Sequence, residues 1–293
     1  VYRTAWVFDT NALPDYGCEP TGTTGNIYPD TGSGGTTTDG RIRHNPGYST
    51  WETIISGSGS PPIGTSVDLT GTSTGVVLGS NSGSSSGTPW DMVDRLFFTF
   101  DTSGIPDTAI LTSGTFSVHR SSSGTNTLPG GDSIALVASM QAADNTLTTA
   151  DFMAVGSVKL ADDIIISTGP ALSAYWDFEL NTAGLANIEV LAGANGISKV
   201  ALRPGMEADS LEPAYSAGAV STDLKFNMAD QGGTSEDPKL VINYALPCDD
   251  IHSASIDFVS TLKSATSLAT ETPIPDLALV TTDTASDNTL ANG

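Results

Sequence analysis

Basic residues are scarce in this chain: 11 Lys and Arg stand against 33 Asp and Glu, giving a net charge of -22. The few cations are scattered, which excludes a nucleic-acid partner, because phosphate contacts need grouped Lys and Arg. Long apolar runs are missing too. Stretches such as Ile164 to Ile166 are far too short to span a bilayer as a helix, so no membrane partner is expected. Charged residues make up only 15% of the chain, too few for the Glu- and Lys-rich heptads of a coiled coil. Asn-x-Ser/Thr sequons are absent, and the first residues alternate (Tyr2, Arg3, Thr4, Ala5, Trp6) instead of pairing a basic end with an apolar stretch. Neither a signal peptide nor a glycosylated secreted protein is signalled. There are two cysteines, Cys18 and Cys248, in a chain of 293 residues that is long enough to build a core without staples. They are either a disulfide tying two extensions together or two free thiols.

What is present is a turn-rich chain, with 31 Gly and 16 Pro, whose apolar residues alternate. In Arg95 to Asp101, Leu96, Phe98 and Phe100 fall on one face, while Arg95, Thr99 and Asp101 fall on the other. This is the period of a half-buried strand. The same logic marks Thr115 to His119, Tyr175 to Leu180, Lys199 to Arg203, Leu224 to Met228 and Lys239 to Tyr244. Ile134 to Ala138 and Ile164 to Ile166 read as strands buried on both faces. Helical turns are predicted only at Thr148 to Val155, with a Thr cap, and at Thr182 to Ile188. Many strands joined by Gly, Pro, Asn and Ser turns predict an all-β fold, a β-sandwich of jelly-roll type with irregular N- and C-terminal extensions.

Low-complexity stretches set the expected boundaries. Thr21 to Thr38 and Gly71 to Thr88 are dominated by Gly, Ser and Thr and read as loops. Residues 1–38 are expected to form an N-terminal extension with one strand, residues 39–245 the jelly-roll sandwich, and residues 246–293 an acidic Ser/Thr-rich arm. From Asp249 onward the arm has seven acidic residues and one Lys, a composition that buries too little to order itself. Ile256 and Phe258 alternate within it, as do Leu277 and Leu279, so these residues can add as strands to a neighbouring subunit or fold back on their own domain. Arg3 to Asp15 also echoes Arg95 to Asp107, sharing Arg, Phe-Asp-Thr and Pro-Asp at fixed positions. The echo is either a degraded duplication or a reused strand-turn solution.

Little in the sequence points to catalysis. Gly71 to Gly75 and Gly83 to Gly87 match the formula of a nucleophile elbow, but both lie in low-complexity sequence rather than between a strand and a helix. His44, His119 and His252 lack a second ligand at metal spacing, and His119 falls on the polar face of its strand. Asp162 with Asp163, Asp177 with Glu179, and Asp249 with Asp250 are the candidate carboxylate pairs. Of these, Asp177 and Glu179 share a strand face that is ordinarily just solvated. Acidic loops are candidates for Ca2+ held by oxygen ligands, although no Asp-x-Asp-x-Asp-Gly loop occurs, and no other cofactor is expected. Tyr48, Trp51 and Trp90 lie in loop-like context and are the candidate stacking platforms for a sugar, whereas Trp6 and Trp176 fall into strand patterns.

One resemblance is carried by the segments with the clearest strand pattern. Arg95 to Pro106 (Arg, an apolar strand, then Phe-Asp-Thr-Ser-Gly-Ile-Pro) is followed by Ile110 to Val118, by Trp176 to Asn181 with Gly184 and Leu185, by Ala201 to Arg203, and by Gly233 to Tyr244. Together with Asp39 to Arg41 and Trp51, this order resembles the DNRLRE-type, disaggregatase-related jelly-roll modules and similar modules of tailed phages. The likeness implies a fold akin to carbohydrate-binding modules and implies no catalytic pair. The insertion before Trp90 and both terminal extensions depart from it. The function expected on this basis is a non-enzymatic virion structural protein of a tailed phage, a capsid decoration or a tail or fibre subunit on the particle exterior. Its partners would be copies of itself or other virion proteins. The alternatives are a carbohydrate-binding adhesion module on a cell surface and an extracellular filament subunit held by strand donation.

Overall fold

A computed structural model of the chain describes residues 21–32, 34–80, 89–122, 125–126, 132–190, 195–213 and 220–247. These belong to one compact unit that ends at Pro247. Cys18, Cys248, His252, the arm residues Ile256, Phe258, Leu277 and Leu279, and the first copy of the internal echo lie outside the described residues.

The fold is all-β, with fourteen antiparallel strands among the described residues: β1 (Thr21–Thr23), β2 (Asp39–His44), β3 (Ser66–Asp68), β4 (Ser73–Ser80), β5 (Trp90–Asp101), β6 (Ile110–His119), β7 (Thr125–Asn126), β8 (Ser133–Ser139), β9 (Val155–Lys159), β10 (Ile164–Ile165), β11 (Tyr175–Glu179), β12 (Ile197–Pro204), β13 (Val220–Asn227) and β14 (Lys239–Ala245). The smaller sheet runs β1-β14-β6-β11. The larger runs β10-β8-β12-β5-β4-β13-β7, with β2 against β5, β3 against β2 and β9 against β8. Among the described strands the chain changes sheet six times, at β1/β2, β5/β6, β6/β7, β10/β11, β11/β12 and β13/β14, as in a jelly-roll-like sandwich.

The interior between the sheets is apolar because the alternating residues meet there. Leu96, Phe98 and Phe100 of β5 pack with Phe116 and Val118 of β6, Trp176 and Phe178 of β11, and Leu240 and Ile242 of β14. Phe116 is the hub, with ring centroids 5.1 Å from Phe98, 5.9 Å from Phe100 and 6.0 Å from Phe178.

The outer face of the larger sheet departs from expectation. Of the residues that alternation places on the polar face of β5, Asp101 is exposed, but Arg95 and Thr99 are buried, and so is Phe97 between them. A second apolar cluster covers them, built from Ile42, Trp51, Ile54, Trp90, Phe97 and Phe152 among others. Its lid is a short helix α1 (Trp51–Ser56) and a 3-10 turn at Thr149–Met153. Thr50 starts α1 by accepting the Thr53 N–H at 3.3 Å. The turn is fixed by Asp151, whose carboxylate accepts the Thr148 N–H at 2.8 Å, the Thr148 hydroxyl at 2.9 Å and the Ala142 N–H at 2.9 Å. The predicted Thr148 turn is therefore present, and so is the predicted helix after Asn181, α2 (Thr182–Ala186), capped by the Asn181 side chain.

Three further assignments change. Val76, Val77 and Leu78 lie not in a loop but in β4, which pairs with β13 over eight residues and with β5. Residues 21–38 are not simply a loop either, since β1 pairs with β14 and Ile27 bridges Leu240. The two-residue β10 is a sheet edge that leaves Ile165 exposed, so this run is not buried on both faces. Ile134 to Val137 of β8 are buried on both faces, as their unbroken apolar run predicts.

Candidate functional site

The aromatic residues singled out for sugar stacking do not form a shared platform. Tyr48 is 49% exposed on a turn before α1, but Trp51 and Trp90 are buried core residues packed edge to face at 5.4 Å. Trp90 opens β5, and its indole N–H donates to Glu212 at 3.0 Å. Their loop-like context does not signal burial, because the helix α1, which begins at Trp51, lies over the outer face of the larger sheet. Neither indole offers a ring face to a ligand.

The remaining described candidates separate as well, while Asp249, Asp250 and the second elbow-like match, Gly83 to Gly87, lie outside the described residues. Asp177 and Glu179 are exposed on β11, where Glu179 accepts the Thr115 hydroxyl at 3.0 Å. Asp163 is engaged by Lys159 at 2.9 Å and by the Ser133 hydroxyl at 2.8 Å, while Asp162 is exposed. Ser73 and Thr74 of the first elbow-like match lie inside β4. His119 is buried rather than exposed: its Nδ1 lies 3.1 Å from the Asn227 amide, which donates to Glu236 at 2.6 Å. His44 is also buried, with its ring nitrogens on the Ile54 carbonyl at 2.8 Å and the Ser58 hydroxyl at 2.7 Å.

Among the described residues, two places gather several polar side chains. One is an open hollow of about 570 Å3 lined by residues including Thr36, Asp101, Ser103, Asp144, Asn145 and Asn195. Its polar groups are held in place: Asn145 donates to the Gly35 carbonyl at 3.1 Å, and Lys199 pairs with Asp144 at 2.7 Å. The other is an acidic end of the sandwich where the start of β2 meets the β13-β14 connection. Asp39 is 1% exposed and Asp237 is 3% exposed. One Asp39 oxygen accepts the Ala229 N–H at 2.8 Å, while the other, Oδ1, has no hydrogen-bond partner. Asp237 Oδ1 and Asp230 Oδ2 are likewise buried without partners.

The electrostatics of this end follow from that geometry. Desolvation, with the nearby charges of Asp230 and Asp237, pushes the Asp39 carboxyl up to about 7. Desolvation and the Asp230 charge push Asp237 up to about 6. Desolvation raises Asp230 too, followed by the charge of Asp68. Tyr175 steadies the connection, its hydroxyl donating to the carbonyls of Ser235 at 3.0 Å and Asp237 at 3.1 Å. Alternation and motif spacing could not find this cluster, because Asp39 is separated by 190 residues from Ala229, its hydrogen-bond partner. The only local signal was acidic residues flanking the Gly232-Gly233 turn.

No known protein family and no curated protein matches the chain.

Proposed function

We propose that this chain is a non-enzymatic structural subunit of a tailed-phage virion, a capsid decoration or tail or fibre component in which the sandwich is the body and residues 246–293 engage neighbouring subunits. The observation that carries this reading is where the chain leaves the sandwich. Ala245, the last residue of β14, pairs with Ile110, which is 60% exposed at the end of β6. An apolar side chain in solvent at the exit point is a ready contact for a following segment or a neighbouring copy. The three-residue β1 forms the nearby edge of the same sheet, and such edges accept added strands. The resemblance to modules encoded by tailed phages and the charge of -22 agree with a heavily solvated particle exterior.

Mass photometry of the full chain beside a truncation after Ala245 tests this reading. Association of the full chain, lost on truncation, is the expected result. A full chain that stays monomeric and does not bind particles overturns it.

A second reading, a carbohydrate-binding adhesion module, draws on the hollow lined by Asp101, Asp144, Asn145 and Asn195. Carboxylates and amides of this kind hydrogen-bond sugar hydroxyls. A glycan array with the truncated monomer distinguishes it, and binding lost on Asn195→Ala would favour it.

A further inference from the structure

We propose that Cys18 and Cys248, the two cysteines of the chain, form a disulfide that closes the open end of the β1-β14 ladder. The register of that ladder carries the inference. β1 and β14 run antiparallel, with Thr21 opposite Ala245, Gly22 opposite Tyr244 and Thr23 opposite Asn243. In an antiparallel pair each step back along one strand is matched by a step forward along the other. Cys18 lies three residues before Thr21, and Cys248 lies three residues after Ala245. Carried three residues further, the same register sets Cys18 directly opposite Cys248. Opposite residues have Cα atoms about 4.5–5.5 Å apart, inside the roughly 4.4–6.8 Å that a disulfide spans.

The register is well determined up to the point where the chains leave the sheet. The Thr24 N–H donates to the Ile242 carbonyl at 3.0 Å, and the Ile242 N–H donates to the Thr24 hydroxyl at 3.0 Å. Gly22 sits under the Tyr244 ring, where a Cβ would collide with it. A slip by one residue would bring Thr21 or Thr23 to that place, so the pairing is held to a single alignment. On its other side β14 is fixed by β6, with Tyr244 opposite Leu111 and Ala245 opposite Ile110.

Two prolines explain why a covalent tie belongs here. Pro20 and Pro247 flank the ladder end and have no N–H to extend it, and the described strands accordingly begin at Thr21 and stop at Ala245. Proline also biases the residue before it toward extended backbone, here Glu19 and Leu246. Both chains thus leave the sheet side by side with an extended bias, and the thiols come next. Forming the bond takes two protons and two electrons from the thiols, and a small-molecule disulfide such as oxidised glutathione accepts them. One thiolate attacks that disulfide and releases one of its halves as a thiol. The second thiolate then displaces the other half from the mixed disulfide.

Thiol counting on the full chain tests this. The protein is incubated with oxidised glutathione, denatured without reductant, labelled with a maleimide and weighed intact, beside a sample reduced with dithiothreitol. The expected result is an unlabelled monomer after oxidation, two labels after reduction, and one linked peptide pair carrying Cys18 and Cys248 in a non-reducing digest. Reduction should lower Tm by roughly 4–16 °C, because the bond ties the chain ends across nearly the whole fold. The Cys18→Ser, Cys248→Ser double variant should lose this redox dependence, and the digest needs no variant at all. Two labelled thiols after oxidation, thiols capped only by glutathione, or a bond found only between two copies overturns the proposal. None of these outcomes depends on whether the chain assembles into a particle.

Discussion

Replacing Glu207 with Gln tests what fastens the outer lid to the larger sheet. Glu207 lies in the short helix α3 (Gly205–Ala208), fully buried between two guanidinium groups. Arg95 of β5 donates to it at 2.6 Å, and Arg203 of β12 pairs with it through both Nε and Nη2. Arg95 also donates to the Ile55 carbonyl of α1 at 2.6 Å and to the Phe152 carbonyl of the 3-10 turn, with its guanidinium 3.9 Å from the Phe152 ring centroid. Arg203 donates to the Gly156 carbonyl of β9 at 3.1 Å. One carboxylate therefore pairs with both cations that hold α1, the 3-10 turn and β9 to the sheet, and separates their like charges. Burial pulls Arg95 below its ordinary pKa, and the charge of Glu207 opposes that pull.

Glu207→Gln preserves shape but leaves two buried cations facing each other. Breaking a buried ion pair from one side costs about 3–5 kcal/mol, and in a unit of this size each kcal/mol shifts Tm by roughly 2–4 °C. A fall of about 6–20 °C is expected, read by thermal and urea unfolding against Glu179→Gln on the exposed face of β11, which should change stability by less than about 0.5 kcal/mol. Arg95→Met combined with Glu207→Gln should cost at least about 1 kcal/mol less than the sum of the two single changes, because the Arg95–Glu207 attraction is lost in each and so is counted twice in that sum. A Glu207→Gln protein within about 1 kcal/mol of the parent would refute the reasoning.

Trp51→Ala and Trp90→Ala should each cost about 3–5 kcal/mol as cavities in the outer cluster, while the exposed Tyr48→Ala should fall within about 0.5 kcal/mol; urea midpoints check the order. The raised carboxyls of Asp39 (about 7) and Asp237 (about 6) set the sign of one pH dependence. Their contribution is complete below the ordinary carboxylate pKa near 3.8 and is lost as pH rises through about 6 to 7. Urea titrations from acid to neutral pH should therefore show falling stability that is flatter in Asp39→Asn, and equal slopes would count against it. Gly184→Ala sets two effects against each other. Ala is the better helix former by about 1 kcal/mol, but its methyl would run into the Leu160 backbone carbonyl. Since backbone cannot swing aside, overpacking of about 1–3 kcal/mol should win, giving a lower urea midpoint rather than a higher one.

The strands that alternation located most directly, β5, β6, β11, β12 and β14, are those whose apolar residues face the space between the two sheets. There period 2 corresponds directly to burial. It fails on the other face of β5, because a polar residue in alternation reads as solvated unless something covers it, and the cover comes from segments up to 112 residues away, as in the pairing of Arg95 with Glu207. Thr99 makes the point in miniature. Its hydroxyl donates toward the carbonyls of Thr38 at 3.0 Å and Asp144 at 2.8 Å and accepts the Thr38 N–H at 2.6 Å, so polarity here joins layers instead of meeting water. Composition failed at β4 for a different reason. A Gly- and Ser-rich strand shows little side-chain pattern, yet its backbone groups are satisfied by β13 and β5 whatever the side chains are.

The same physics bears on where partners can dock. With much of the larger sheet's outer face under a lid, outward carboxylates such as Asp177 and Glu179 remain on the smaller sheet, whose ends are β1 and β11. A partner covering that face must bring positive charge or leave those carboxylates hydrated at the rim, since burying them unpaired would cost several kcal/mol. A strand added along the β1 edge escapes this cost, because it bonds to backbone and leaves both carboxylates in water.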